Sequence, residues 1–159
     1  MLYNLIRKKE DRGYKKMTKA LWFDMDGTFV DLYGVKEWLP KLIAEDASPY
    51  KEAKPLCRMA TFARLLNKAQ KNGYTINIVS WASKKASKAY EEKIAEAKKA
   101  WLAEHLPSVK WNTIKVLPYG TNKSTAGQGV LFDDEEHNRE EWKGTAYHPN
   151  NMLAVLRAL

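Results

Sequence analysis

Short apolar runs alternate with stretches of helical period from residue 19 to the end of the chain, and this alternation limits the possible folds more than any other feature. KALWFD (19–24), YTINIVSW (74–81), WNTIKVLPYG (111–120), GVLFDD (129–134) and GTAYHP (144–149) read as strands, being short, apolar and partly β-branched. Between them lie helical patterns. LCRMATFARLLNKAQKNG sets Met59, Phe62, Ala63, Leu66 and Ala69 on one face, with Gly73 as its stop. KKASKAYEEKIAEAKKAWLAEHLP sets Tyr90, Ile94, Ala97 and Trp101 on one stripe. EEHNREEWK predicts a short helix, and NNMLAVLRAL a final one with Asn150 or Asn151 as N-cap. VKEWLPKLIAED (35–46) is partly helical, with Pro40 interrupting it or marking an early turn, and ASPYKEAKP (47–55) reads as a polar loop. Strands separated by helices imply parallel crossovers. The expected fold is therefore α/β, a Rossmann-like three-layer sandwich around a mainly parallel sheet.

The 159 residues suffice for one domain with a core. Apolar residues make up 45% and charged residues 29%, an ordinary globular balance. No apolar run reaches about 18 residues, so no membrane span is expected. The N-terminal stretch has no apolar h-region, and the single Cys57 cannot form an internal disulfide; both point to a cytoplasmic protein. The net charge of +8 is uneven. Residues 1–19 hold seven basic residues against Glu10 and Asp11, a net +5, which leaves +3 for the other 140. Residues 1–18 read as a solvated basic arm ahead of a domain at 19–159, although such an arm could instead grip nucleic-acid phosphates.

Chemistry concentrates where the strands end. Asp24 and Asp26 follow the first strand, Ser80 falls at the end of the second, Asp133 and Asp134 end the fourth, and Lys123 lies in the loop entering it. In open α/β sheets ligands bind beyond the carboxyl ends of the strands. Four carboxylates at one sheet edge repel one another unless a cation joins them. With no Cys or His cluster nearby, an oxygen-only site suits Mg²⁺. His105, His137 and His148 show no ligand spacing and are expected on the surface or in helix packing. Gly27 permits a sharp turn after the acids, and Thr28 adds a hydroxyl.

FDMDGTFVD resembles the first motif of the haloacid dehalogenase-like hydrolase superfamily, the aspartate-nucleophile phosphatases, in which apolar residues precede Asp-x-Asp-Gly-Thr. Ser80 in INIVSW is similar to the second motif, Lys123 in GTNKST to the third, and Asp133–Asp134 in VLFDD to the fourth. TNKS ahead of LFDDEEHN is similar in style to the 5'(3')-deoxyribonucleotidase branch, and the small size to phage-encoded members. The resemblance implies Asp24 as nucleophile and Mg²⁺ ligand. It implies Asp26 as general acid/base, with its carbonyl on the metal. Asp133 becomes a metal ligand, and Asp134 a second one or a water-mediated neighbour. Thr28, Ser80 and the backbone N–H of Trp81 would hold phosphate oxygens, and Lys123 would neutralise phosphate and nucleophile. Lys115, Lys84 and Lys85 are the competing lysines.

Members of that superfamily select substrates with an inserted cap. The only candidate here is about residues 32–55, a minimal one, which carries Tyr33, Lys36, Trp38, Tyr50, Lys51 and Lys54. These could stack a base and meet a second phosphate; alternatively Trp38, Leu39, Leu42 and Ile43 cover the sheet. Three functions follow as expectations. The first is a Mg²⁺-dependent phosphomonoesterase acting on nucleotides. The second is a phosphatase of nucleic-acid ends, polynucleotide 3'-phosphatase-like. The third is a non-catalytic binding protein that keeps the fold, against which the two intact acids of DMDG argue.

Overall fold

The computed structural model describes residues 19–159; the basic arm at 1–18 lies outside the described residues. Five strands form one sheet: β1 (Ala20–Phe23), β4 (Thr75–Trp81), β5 (Thr113–Leu117), β6 (Val130–Phe132) and β7 (Thr145–Tyr147). Their spatial order is β5-β4-β1-β6-β7, and every neighbouring pair is parallel. The chain steps outward from β1 through β4 to β5, then returns to the other side of β1 at β6. The order therefore reverses at β1, where the loops leaving β1 and β6 separate and open a crevice.

Period-two alternation makes β1 two-sided. Leu21 and Phe23 point to one face, where Ile76, Ile78 and Phe132 of neighbouring strands join them. Helices α3 (Met59–Lys71), α4 (Lys88–His105) and α6 (Met152–Arg157) cover that face with Phe62, Leu66, Trp101 and Leu156. Phe23 stacks on Phe132 with ring centroids 4.9 Å apart, and Phe62 meets its edge at 5.6 Å. Ala20 and Trp22 point to the other face and pack with Val79, Leu131 and Trp142, the last just after α5 (Glu136–Glu141). The α/β sandwich expected from the alternating pattern is thus present, and the central strands stand buried between two layers.

One local expectation changes and two are refined. Residues 47–55 are not a loop: they form α2 (Ser48–Glu52) and β3 (Lys54–Pro55). Pro49 sits in the first turn of α2, where its missing N–H costs nothing, and Tyr50 and Ala53 are buried. Pro40 lies in the first turn of α1 (Trp38–Ile43) for the same reason, so it marks a helix start. At the C-terminus Asn151 stands at the expected N-cap position of α6, but its side chain makes no capping hydrogen bond. Instead His148 Nδ1 accepts from the Asn150 N–H (3.1 Å), capping a 3-10 turn that leads into the helix.

The segment between β1 and α3 is a small lobe with a neck. β2 (Val30–Asp31) pairs antiparallel with β3, Val30 opposite Pro55 and Asp31 opposite Lys54. Further ties hold the lobe onto α4. Trp101 Nε1 donates to the Ala53 carbonyl (2.7 Å), Tyr90 Oη to the Asp46 carbonyl (2.8 Å), and Ser87 Oγ to Glu45 (2.8 Å). No helix among the described residues is long and apolar enough to cross a membrane.

Candidate active site

Asp24 continues β1 by one residue: its N–H donates to the Phe132 carbonyl (2.9 Å), so its side chain leaves the sheet beside β6. The chain then wraps tightly. The N–H groups of Thr28, Phe29 and Val30 all point at the Met25 carbonyl, at 3.0, 3.2 and 3.1 Å. Gly27 makes this turn with φ +80°, and a Cβ there would lie 2.3 Å from Asp134 Oδ2. Only glycine suits both the backbone and the carboxylate pressed against it.

Lys123 sits on a 3-10 turn (Lys123–Thr125) whose start is capped by Asn122, which accepts from the Ser124 N–H (2.9 Å). That turn drives the lysine inward until it is 2% exposed. Its ammonium donates to Asp24 Oδ1 (2.8 Å) and Asp133 Oδ2 (2.7 Å). Asp133, wholly buried, also accepts from the Glu135 N–H (2.9 Å) and from Asn138 Nδ2 (3.3 Å). Thr28 Oγ1 donates to Asp24 Oδ2 (3.0 Å), and Asp134 Oδ1 lies 3.4 Å from the same hydroxyl. Asp26 leans the other way: its Oδ2 accepts from Lys98 on α4 (2.7 Å).

The electrostatics follow from burial and charge count. Burial acts to raise the Asp24 carboxyl, but the adjacent Lys123 outweighs it and holds Asp24 below its ordinary value. Asp26 is raised, chiefly by burial and despite Lys98. Burial and the charge of Asp24 push Asp133 up to about 6 and Asp134 up to about 8. Burial opposes the charge of Lys123, yet Asp24 and Asp133 raise it above the ordinary lysine value. Asp24, Asp133 and Asp134 each offer a carboxylate oxygen within 4.8 Å of the others. With all three ionised, the carboxylates would outweigh the one ammonium by two negative charges, which one divalent cation would balance. The donor set, all oxygen, suits Mg²⁺.

A cavity of 420 Å³ opens over these groups, within the range of small-molecule sites. Asp24, Asp26, Lys123 and Trp81 of the expected residues line it. Asp133, Asp134 and Thr28 do not line it: Thr28 donates to Asp24, Asp133 is joined to Asp24 through Lys123, and Asp134 lies against Gly27. Ser80 is the farthest from its expected place: it is fully buried, accepts from Lys98 (2.6 Å), and leaves the wall there to Trp81, Ala82 and Ser83. Of the competing lysines, Lys115 donates to the Ala126 carbonyl (2.8 Å), while Lys84 and Lys85 stand exposed at the cavity rim. The lobe supplies the opposite wall with Tyr33, Trp38, Leu39, Leu42, Ile43 and Tyr50. Tyr33 and Trp38 meet edge to face at 5.0 Å, and across the cavity Trp81 packs with Tyr119 at 5.0 Å. Trp38 and Leu42 pack against the buried cluster of Leu32, Tyr50, Ala82, Tyr90 and Ile94. Lys36, Lys51 and Lys54 are exposed and do not line the cavity.

Besides Tyr119, three residues at the site escaped the sequence reading. Lys98 is the largest omission; its one signal is a position four after Ile94 and three before Trp101, on the apolar stripe of α4. Asn138, one turn into α5, buttresses Asp133. Ser83 lines the cavity with a buried hydroxyl that has no hydrogen-bond partner among the described residues. Neither a protein-family model nor a curated protein sequence matches the chain.

Proposed function

We propose that this protein is a Mg²⁺-dependent phosphomonoesterase of the haloacid dehalogenase-like type, working through an aspartyl-phosphate and acting on nucleotides. The supporting observation is one cavity onto which Asp24, Asp26 and Lys123 all open, with carboxylate oxygens of Asp133 and Asp134 within 4.8 Å of one on Asp24. Asp24, Asp133 and Asp134 would hold the metal, which supplies positive charge to the phosphoryl oxygens.

The residues divide the work. A carboxylate oxygen of Asp24 attacks phosphorus, the ester P–O bond breaks, and its electron pair stays on the leaving oxygen. Asp26 gives that oxygen a proton. A water then attacks the acyl phosphate and passes a proton back to Asp26, which frees Asp24 and inorganic phosphate. Lys123 holds Asp24 in its ionised form and faces the charge that develops on the phosphoryl group. The aromatic lobe and the Trp81–Tyr119 pair offer ring faces and edges to a base.

Lys84 and Lys85 at the rim favour a second reading, a phosphatase of nucleic-acid ends, because a second phosphate would meet them. The deciding experiment is phosphate release from mononucleotides, sugar phosphates and 3'-phosphorylated oligonucleotides, with EDTA and with Mg²⁺ restored. Release from mononucleotides that stops with EDTA and returns with Mg²⁺ is expected. Preference for the oligonucleotide selects the second reading, and no release from any substrate leaves a binding protein with this fold.

A further inference from the structure

Lys98 is 1% exposed, in the middle of a helix face that otherwise buries Tyr90, Ile94, Trp101 and Leu102. An ammonium in such a place is costly unless each of its N–H groups finds an acceptor. Lys98 finds three: Asp26 Oδ2 at 2.7 Å, Ser80 Oγ at 2.6 Å and the Trp81 carbonyl at 2.9 Å. Its Nζ also lies 5.0 Å from the centre of the Tyr50 ring, in the lobe. One buried cation thus joins the loop after β1, the end of β4 and the lobe. It occupies Asp26 Oδ2, and nothing among the described residues hydrogen-bonds Asp26 Oδ1.

We propose that Lys98 is the positioning residue for Asp26: by fixing Oδ2 against the end of β4, it leaves Oδ1 as the one oxygen that exchanges a proton with the leaving group and the water. This rests on the phosphomonoesterase reading and on Asp26 as its acid/base. Lys98 itself does not line the cavity and acts through Asp26.

A proton donor matters in proportion to the basicity of the leaving oxygen. A dinitrophenolate departs without a proton, whereas a phenolate needs one far more. The test compares kcat/KM of the full chain on phenyl phosphate and 2,4-dinitrophenyl phosphate with saturating Mg²⁺, wild type against Lys98→Met. The expected result is a loss of about tenfold or more on phenyl phosphate and less than about threefold on the dinitrophenyl ester. A merely structural lysine would lower both alike. Equal losses on both esters, or no loss on either, overturn the role of Lys98 and leave the phosphatase reading standing. Hydrolysis of neither ester by the wild type overturns both. Should Lys98→Met fail to fold, by circular dichroism, Lys98→Gln keeps a donor at shorter reach and the same ratio decides.

Discussion

On the sheet side of the cavity Asp24, Asp133 and Lys123 are buried and joined by hydrogen bonds at 2.7 to 2.8 Å. On the lobe side Tyr33 and Leu39 stand about half exposed and Ile43 75% exposed, and α1 buries no residue. The sheet wall is positioned by strand register, which leaves little freedom at Asp24 or Asp133. The lobe wall is held at its neck by β2 and β3 and along α4 by Glu45, Asp46 and Ala53, while Leu39 and Ile43 of its cavity side stay exposed among the described residues. On the proposed reading, chemistry that tolerates no misplacement would fall on the first wall, and selection of what enters on the second.

Breaking the sheet wall should give the largest effects. Asp24→Asn keeps shape but removes the nucleophile, and should cut kcat by about 10⁴-fold or more. Circular dichroism should show the same fold. Phosphate release by this variant at the wild-type rate would refute Asp24 as nucleophile. Lys123→Met tests the same wall through stability. It strands Asp24 and Asp133 without their counter-charge, a loss of about 3–5 kcal/mol. Added Mg²⁺ should raise the melting temperature of Lys123→Met by more than that of the wild type, because the cation meets a larger charge deficit. An equal rise in both proteins would separate the lysine from the metal site.

A smaller effect is expected at the turn. Gly27→Ala places a Cβ against Asp134 and holds alanine at φ +80°. The left-handed backbone alone costs about 1–2 kcal/mol. The displaced carboxylate should also weaken Mg²⁺ binding, which isothermal titration would read. Unchanged affinity would show that Asp134 is not a ligand.

The sheet wall was also the more legible from sequence. Apolar strands ending in Asp24, Ser80 and Asp133, with alternating helices, placed these residues at one edge of one sheet. Of the two lysines weighed there, Lys123 joins Asp24 and Asp133, whereas Lys115 donates to the Ala126 carbonyl and lies over the Trp22 ring. Lys98 was not legible, because in a helix containing Lys88, Lys93 and Lys99 another lysine reads as solvated. Its acceptors come from β4 and from the loop after β1, which local pattern does not bring together. The lobe was hidden for a related reason. Residues 47–55 look polar, and Tyr50 and Ala53 are buried in part through contacts with Tyr90, Ile94, Lys98 and Trp101 of α4, some 40 to 48 residues further along. A serine at a strand end, similarly, does not reveal which neighbour claims its hydroxyl.

The smallest effects belong to the lobe, and they ask whether its exposed rings serve the substrate. Tyr33 and Trp38 meet edge to face at the cavity and are not part of the main core. If a base rests on them, removing one ring should weaken binding by about 1–3 kcal/mol, the usual worth of a stacked base. Chemistry at phosphorus is untouched, so Tyr33→Ala should raise KM for a mononucleotide about fivefold or more and leave kcat near wild type. A simple sugar phosphate, lacking a base, should show no change in KM with the same variant. The net +5 of residues 1–19 makes a contrasting demand: phosphates bound by it would lose affinity steeply with salt, whereas stacking would not. The wild-type KM for a mononucleotide should therefore rise little between low and moderate salt, and deletion of residues 1–16 should alter it less than Tyr33→Ala does. A steep salt dependence, or a larger effect from the deletion, would move selection from the lobe to the basic residues and favour a nucleic-acid end as substrate.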